Sequence, residues 1–394
     1  MSGEEQVGRR KLSDLAAVAG GVTLGREVPE SASVELPYLR VANVQDGYID
    51  TGDVKTVRVL ESEVERFSLR KGDVLLTEGG DFDKLGRGAV WDGRLDPCLY
   101  QNHIFRVRCN LSDLLPEYLS LFLASPEGRT YFLSIAKQTT NLATINSSQL
   151  KAMPVPLPST NEQRRIVDVL DSLTREQDAL SASIAKLSLI EDGMKRSLLS
   201  QISVGNRSST IGDLGTVVTG MTPPAEWNNM DGRGGIPMIT PSQVSSDGEV
   251  SGFSRLISSE YFKNLREVRR GATLAVCIGF GVGKVGYVKF DCCTNQQINS
   301  VIPSPDVDSR YAYLAVEESM RIARGRVNLQ VTPIINKAEF SSLEVTIPDM
   351  AYQRRVADSI WAVRGSQERL MLEFTKLRHL KAGMMNDLLP APVR

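Results

Sequence analysis

The chain has 394 residues, with 46 Lys and Arg against 47 Asp and Glu and a net charge of −1. That length exceeds a single compact core and calls for at least two domains. The near-neutral balance, slightly acidic over the first 150 residues, means that any nucleic-acid surface is a local patch or is completed by partners.

No apolar run approaches the roughly 20 residues that span a bilayer. The opening MSGEEQVGRRKL lacks the apolar stretch of a signal peptide, so the cytoplasm is the expected location. The cysteines (Cys98, Cys109, Cys277, Cys292, Cys293) are scattered without a CxxC pair, which indicates neither a disulfide framework nor a zinc site.

In chain order, Met1–Arg9 reads as a tail. Short β-type runs follow, Pro37–Val41 and Asp73–Thr77, with a turn at Asp46-Gly47 between them. Helical stretches come next, Leu115–Leu123 and then Pro126–Ala136 behind a Ser125 cap. Leu157-Pro158-Ser159-Thr160 stops one element and caps the next. Thr160 with Gln163 fits a capping box, in which each side chain satisfies the other's backbone amide.

A long helix is expected from that point. Ile166, Leu170, Leu173, Gln177, Leu180, Ile184, Leu187, Glu191, Met194 and Leu198 alternate by four and three, the seam of a coiled coil. Gln201–Ser209 reads as a linker. The plan then repeats, with a turn at Asp247-Gly248, a strand at Ala272–Ile278 and a helix over Tyr311–Ile322. Asp349 is a candidate cap for a second long helix, with seam positions Val356, Ile360, Val363, Gln367, Leu370, Phe374, Leu377, Lys381, Met384 and Leu388.

The repeat is visible residue by residue. Leu12-Ser13-Asp14-Leu15 returns as Ile211-Gly212-Asp213-Leu214, and Leu69-Arg70-Lys71-Gly72 as Val268-Arg269-Arg270-Gly271. Gln163-Arg164-Arg165-Ile166 returns as Gln353-Arg354-Arg355-Val356, and Gly193-Met194 as Gly383-Met384. Each half is therefore a globular α+β head followed by a helical tail. Helix one delivers the chain from head one to head two, so a helix two paired with it must run back, antiparallel. About 39 residues at 1.5 Å each give a rod of about 58 Å. Such a body suits two half-sites on DNA, where one helical turn is about 34–36 Å.

Two apparent catalytic motifs fail on context. Gly281-Val282-Gly283-Lys284-Val285-Gly286 contains GxGxxG, but a dinucleotide site needs a helix straight after the glycines and Val285–Phe290 reads as a strand. Asp96-Pro97-Cys98-Leu99-Tyr100 faintly resembles the acidic-Pro-Pro-aromatic loop of amino-methyltransferases, yet lacks one proline and any cofactor-binding βα unit. No nucleophile elbow, metal cluster or phosphate loop can be assembled.

The stretch Thr144–Pro158 followed by Glu162-Gln163-Arg164-Arg165-Ile166 resembles the junction between recognition domain and conserved helix in the specificity subunits of type I restriction–modification systems. Pro37–Val44, Lys71–Leu75, Asn102-His103-Ile104 and Asn295-Gln296-Gln297-Ile298 resemble further recurrent segments of that family. The resemblance implies an α+β chain with two pseudo-repeated target-recognition domains joined by a pair of long antiparallel coiled-coil helices. The expected boundaries are 1–158, 159–202 for the first helix, 203–348, and 349–390 for the second.

It further implies a non-catalytic subunit that reads a two-part site in double-stranded DNA. Two methyltransferase subunits would be its partners, with translocase–nuclease subunits as optional additions. No cofactor is expected on this chain; S-adenosylmethionine, ATP and magnesium would sit on the partners. A protein-binding coiled-coil scaffold and a DNA methyltransferase with an unrecognised active site are the alternatives.

Base edges are read by Arg, Lys, Asn and Gln, and phosphates by Lys, Arg and hydroxyls. In the first head the candidates are Lys84, Arg87, Arg94, Lys137, Gln138 and Asn141; in the second they are Lys284, Arg321, Arg324, Arg326, Asn328 and Gln330.

Overall fold

The computed structural model describes residues 7–80, 85–138, 143–200, 208–228, 234–245, 247–248, 250–325 and 333–389. The chain divides into two compact units, 1–181 with 372–394, and 182–371. Both divisions fall inside a long helix, so each unit holds one head and one end of each helix. No described helix is long and apolar enough to cross a membrane.

The two heads share one topology. In the first, Ala16–Gly20, Ile104–Cys109, Val74–Thr77 and Gly88–Val90 form an antiparallel sheet in that spatial order. In the second, Gly215–Thr219, Ile298–Pro303, Thr273–Val276 and Val285–Tyr287 do the same. A smaller sheet accompanies each: Ser33–Leu39 between Lys55–Leu60 and Leu99–Tyr100, and Ile236–Ile239 between Arg255–Ile257 and Cys293–Thr294. The expected turns recur as well, with Gly47 and Gly248 in left-handed conformations at φ 85° and 87°.

The predicted tail and linker are partly structured. Arg9–Lys11 pairs with Pro154–Pro156, and Ser208–Thr210 pairs with Glu344–Thr346. Arg9 also ion-pairs with Glu127. Each head is thus closed by pairing the strand where the chain enters with the strand where it leaves for the long helix.

The helical layers differ for a readable reason. Where head two has one helix, head one has the pair Pro116–Ala124 and Pro126–Ile135, because Pro126 cannot donate to the preceding turn and forces Ser125 into an extended conformation. Ser125 Oγ then accepts from Gly128 N at 3.2 Å and caps the second helix. Head two has no proline there and runs unbroken over Ser309–Arg324.

The long helices span Thr160–Ser200 and Met350–Leu388. Every seam position predicted from the four–three spacing is buried or half-buried, while most flanking positions are exposed. In the first unit Ile166, Leu170 and Leu173, at the start of helix one, share a core with Met384, Met385, Leu388 and Leu389, at the end of helix two. In the second unit the reverse ends meet: Met194 and Leu198 pack with Val356, Ile360 and Trp361. The pairing is therefore antiparallel in both units.

Asp349 caps the second helix as expected, accepting from Tyr352 N at 2.9 Å. At the first helix the capping box is a misreading. Ser159 Oγ, not Thr160, accepts from Glu162 N (3.3 Å), and Gln163 turns into the interior. Gln163 Oε1 accepts from Leu115 N (2.9 Å), and its Nε2 donates to the carbonyls of Asp113 (2.8 Å) and Pro158 (3.0 Å). Gln353 repeats the arrangement, accepting from Asp308 N (2.8 Å) and donating to the carbonyls of Pro348 (2.8 Å) and Asp306 (3.4 Å). Leu115 and Asp308 are the N-cap residues of Pro116–Ala124 and Ser309–Arg324, so each glutamine ties the root of a long helix to a helix start in the head.

In the second unit the helices also meet through charge. Glu191, on the seam, bonds Arg364 across the pair at 2.8 Å. Lys195 lies 3.3 Å from Glu191 and 3.2 Å from Glu317 of the head, and Arg364 reaches Glu317 at 3.4 Å. The Arg364 guanidinium stands 4.9 Å from the Tyr313 ring centre and 5.2 Å from that of Trp361. The more exposed Asp192 also lies 3.4 Å from Lys195, so both cations face carboxylates whose attraction offsets the cost of taking the charges out of water. Gln367, also on the seam, lies against Ser188 of helix one at 3.2 Å.

Truncating Gln353 to alanine leaves the Asp308 amide and two inward carbonyls without their partner. The expected loss is roughly 1–3 kcal/mol, read by calorimetry as a lower unfolding midpoint. Gln177→Ala, at a half-buried seam position, is expected to cost clearly less. Equal losses would contradict the role given to Gln353.

Candidate nucleic-acid interface

Each head carries a glycine-rich connection between two neighbouring antiparallel strands at one edge of its four-stranded sheet. In head one it joins Val74–Thr77 to Gly88–Val90; in head two it joins Thr273–Val276 to Val285–Tyr287. Gly86 and Gly283 adopt left-handed φ values of 69° and 96°, and the next residue in each case is a cation, Arg87 or Lys284. The two cations thus occupy equivalent positions, immediately before the returning strand. Because that strand follows directly, no helix N-terminus faces the glycines of Gly281–Gly286, and the phosphate cradle of a dinucleotide site is not formed.

What covers the left-handed glycine differs. At Gly86 a Cβ would strike the Phe132 ring at 2.3 Å, whereas at Gly283 it would strike Cδ of Arg324 at 2.7 Å. Head one therefore seats an apolar ring over this turn. Head two lays an arginine stem along it, which brings Arg324 beside Lys284.

The remaining candidates separate by partner. Arg94 is exposed and holds Asp92, with Nε to Oδ2 at 2.7 Å. That bond lowers the Asp92 carboxyl below its ordinary range and raises the guanidinium. Arg321 forms a two-pronged pair with Glu318 at 2.7 and 2.6 Å, which likewise raises its guanidinium. Both cations are already neutralised within their own heads. Arg87, Lys284 and Arg324 have no carboxylate within ion-pair distance among the described residues. Arg87, half-buried, instead donates to Gln45 Oε1 at 3.2 Å.

Lys137 and Gln138 lie on a short strand paired with Ala143–Thr144, which in turn pairs with Gly79–Gly80 beside the first glycine-rich loop. Lys84, Asn141, Arg326, Asn328 and Gln330 lie outside the described residues. The turn around Gly47 was not among the candidates, yet Arg87 reaches Gln45, Arg94 reaches Thr51 (3.4 Å) and Arg129 reaches Asp46 (2.8 Å). The Asp46-Gly47 pair was its signal in the sequence.

The methyltransferase-like segment is packed away. Leu99 and Tyr100 form a buried strand, and the Tyr100 hydroxyl donates to the Gly20 carbonyl at 3.2 Å. Burial pushes the Cys98 thiol up to about 12. An aromatic fixed in this way is not presented to a base.

A family model described as the type I restriction modification DNA specificity domain matches residues 4–189 and again 204–365. The chain belongs to that family, and the double match coincides with the internal repeat. The putative type I restriction enzyme MjaX specificity subunit of Methanocaldococcus jannaschii is 21% identical over 98% of this chain and 93% of its own length. The type I restriction enzyme EcoKI specificity subunit of Escherichia coli K12 is 28% identical over 44% of this chain and 38% of its length. Among solved structures, the S subunit of a type I restriction–modification system from M. genitalium aligns over 100% of this chain and 99% of its own, with a TM-score of 0.63 at 13% identity. The fold is that of a specificity subunit with two target-recognition domains.

If unpaired cations carry phosphate contacts, Lys284→Ala and Arg324→Ala in the assembled complex each weaken duplex binding and reduce the slope of log affinity against log salt by about one. Arg321→Ala, whose charge is already matched by Glu318, is expected to change the slope less. Fluorescence anisotropy over a salt series measures all three. An Arg321 effect equal to that of Lys284 would contradict the ranking.

Proposed function

We propose that this chain is the non-catalytic reader of a DNA adenine methyltransferase complex, working in the cytoplasm. Each head reads one half of an asymmetric two-part site in duplex DNA. The single observation that carries this reading is the duplicated head, with a glycine-rich loop placing a cation at the same point of the same hairpin in both halves.

Arg87 and Lys284 are assigned to the DNA surface, with Arg324 beside the latter. Lys84, Lys137, Gln138, Asn141, Arg326, Asn328 and Gln330 are proposed as further contacts from the loops that flank them. Arg94 and Arg321 are lesser contributors, since a carboxylate already holds each.

The paired helices offer a dock for two methyltransferase subunits. Those partners bring S-adenosylmethionine, and translocase–nuclease subunits bring ATP and magnesium where they join. The neutral net charge supports a division of labour: this chain contributes local cations and the partners complete the phosphate neutralisation.

The test is reconstitution. The isolated chain is expected to transfer no methyl group. Mixed with its methyltransferase partner, it is expected to direct adenine methylation to duplexes carrying one two-part sequence. Methylation by the complex that is indifferent to sequence would overturn the proposal.

A further inference from the structure

We propose that Phe280 is a wedge that enters the base stack of the half-site read by the second head. The inference rests on the DNA-reading function above and adds a recognition mode to it.

Phe280 is 93% exposed, and among the described residues no other large apolar side chain is as open, the next being Leu189 at 73%. It gives up the burial that normally stabilises a phenylalanine. Its loop does not need it for folding: Val282, two residues on, is the buried anchor.

The backbone holds the ring out. Gly279 and Gly283 have φ values of 92° and 96°, a region that favours glycine. Val282 N donates to the Gly279 carbonyl (3.0 Å) and Lys284 N to that of Gly281 (3.1 Å), two tight turns in succession. The base of the loop is fastened by Gly279 N to the Pro333 carbonyl (3.0 Å) and by Ile335 N to that of Cys277 (2.8 Å). The ring is therefore carried on a fixed hairpin, which lowers the ordering cost of insertion.

The surroundings select the partner. Lys284 follows in the same loop, and the Arg324 stem packs on Gly283. Neither meets a carboxylate among the described residues. An apolar ring flanked by unmatched cations suits a polyanion with flat apolar layers between its charges. Apolar side chains that enter between base steps unstack them and kink the duplex. The glycine-rich loop of head one also contains a phenylalanine, Phe82, which lies outside the described residues.

The experiment uses the chain assembled with its methyltransferase partner. The probes are duplexes carrying its two-part site, with 2-aminopurine placed in turn at positions of the second half-site other than the methylated adenine. The wild-type complex is expected to raise fluorescence at one step. Phe280→Ala is expected to abolish that rise and to weaken binding roughly ten- to a hundredfold, as loss of base–aromatic stacking does. The salt slope stays unchanged, because no phosphate contact is lost. Phe280→Trp retains the signal, and Phe253→Ala, at a position 50% exposed, changes nothing.

An alanine variant with wild-type affinity and fluorescence overturns the wedge while leaving the DNA-reading function intact. So does a variant whose only defect is weaker assembly with the methyltransferase subunit, which would assign the ring to a protein contact. A wild-type complex that does not prefer its site would remove the function itself.

Discussion

A buried glutamine amide at the root of each long helix is the constraint on which the architecture depends. Gln163 and Gln353 are 0% and 1% exposed and spend their amides on backbone groups alone. They bind the strand-to-helix corner on one side and the start of a head helix on the other. A bond to backbone does not depend on which side chains surround it. The clamp can therefore stay the same in both halves while the heads diverge. Its polar atoms are buried, so leaving any of them unpaired is costly, and this penalises other angles of departure for the helix.

Around that common root the two ends of the helix pair use different chemistry. The first unit closes with Met384, Met385, Leu388 and Leu389 against an apolar core. The second closes with Glu191, Lys195, Glu317 and Arg364 under Tyr313 and Trp361. The seams alone have the same four–three spacing and would not distinguish one end from the other. Setting Arg364 against the apolar core of the first unit would bury an unmatched cation, which disfavours that exchange. A duplicated sequence thus acquires a direction.

Much of this was legible in the sequence because it is periodic or punctuated. The heptad positions predicted the buried stripe of both helices. Asp46-Gly47 and Asp247-Gly248 mark two turns, and Pro126 marks where the head-one helix breaks. Tertiary contacts were less accessible. Ser/Thr-x-x-Gln describes a capping box and equally a glutamine turned inward, and only the position of the head decides between them. The pairing of Arg321 with Glu318, three residues earlier on a helix, could have been read from spacing, as could Arg94 with Asp92. The cover over the left-handed glycine, Phe132 in one head and Arg324 in the other, could not, because it joins segments far apart in sequence.

Two similar but non-identical heads imply a target made of two different sequences. Mapping methylated adenines across a host genome, with this gene present and with it deleted, distinguishes such a target from a continuous one. The expected result is the loss of one motif made of two unlike specific parts interrupted by a spacer of constant length and free sequence. An unchanged map, or the loss of a single continuous motif, would contradict it.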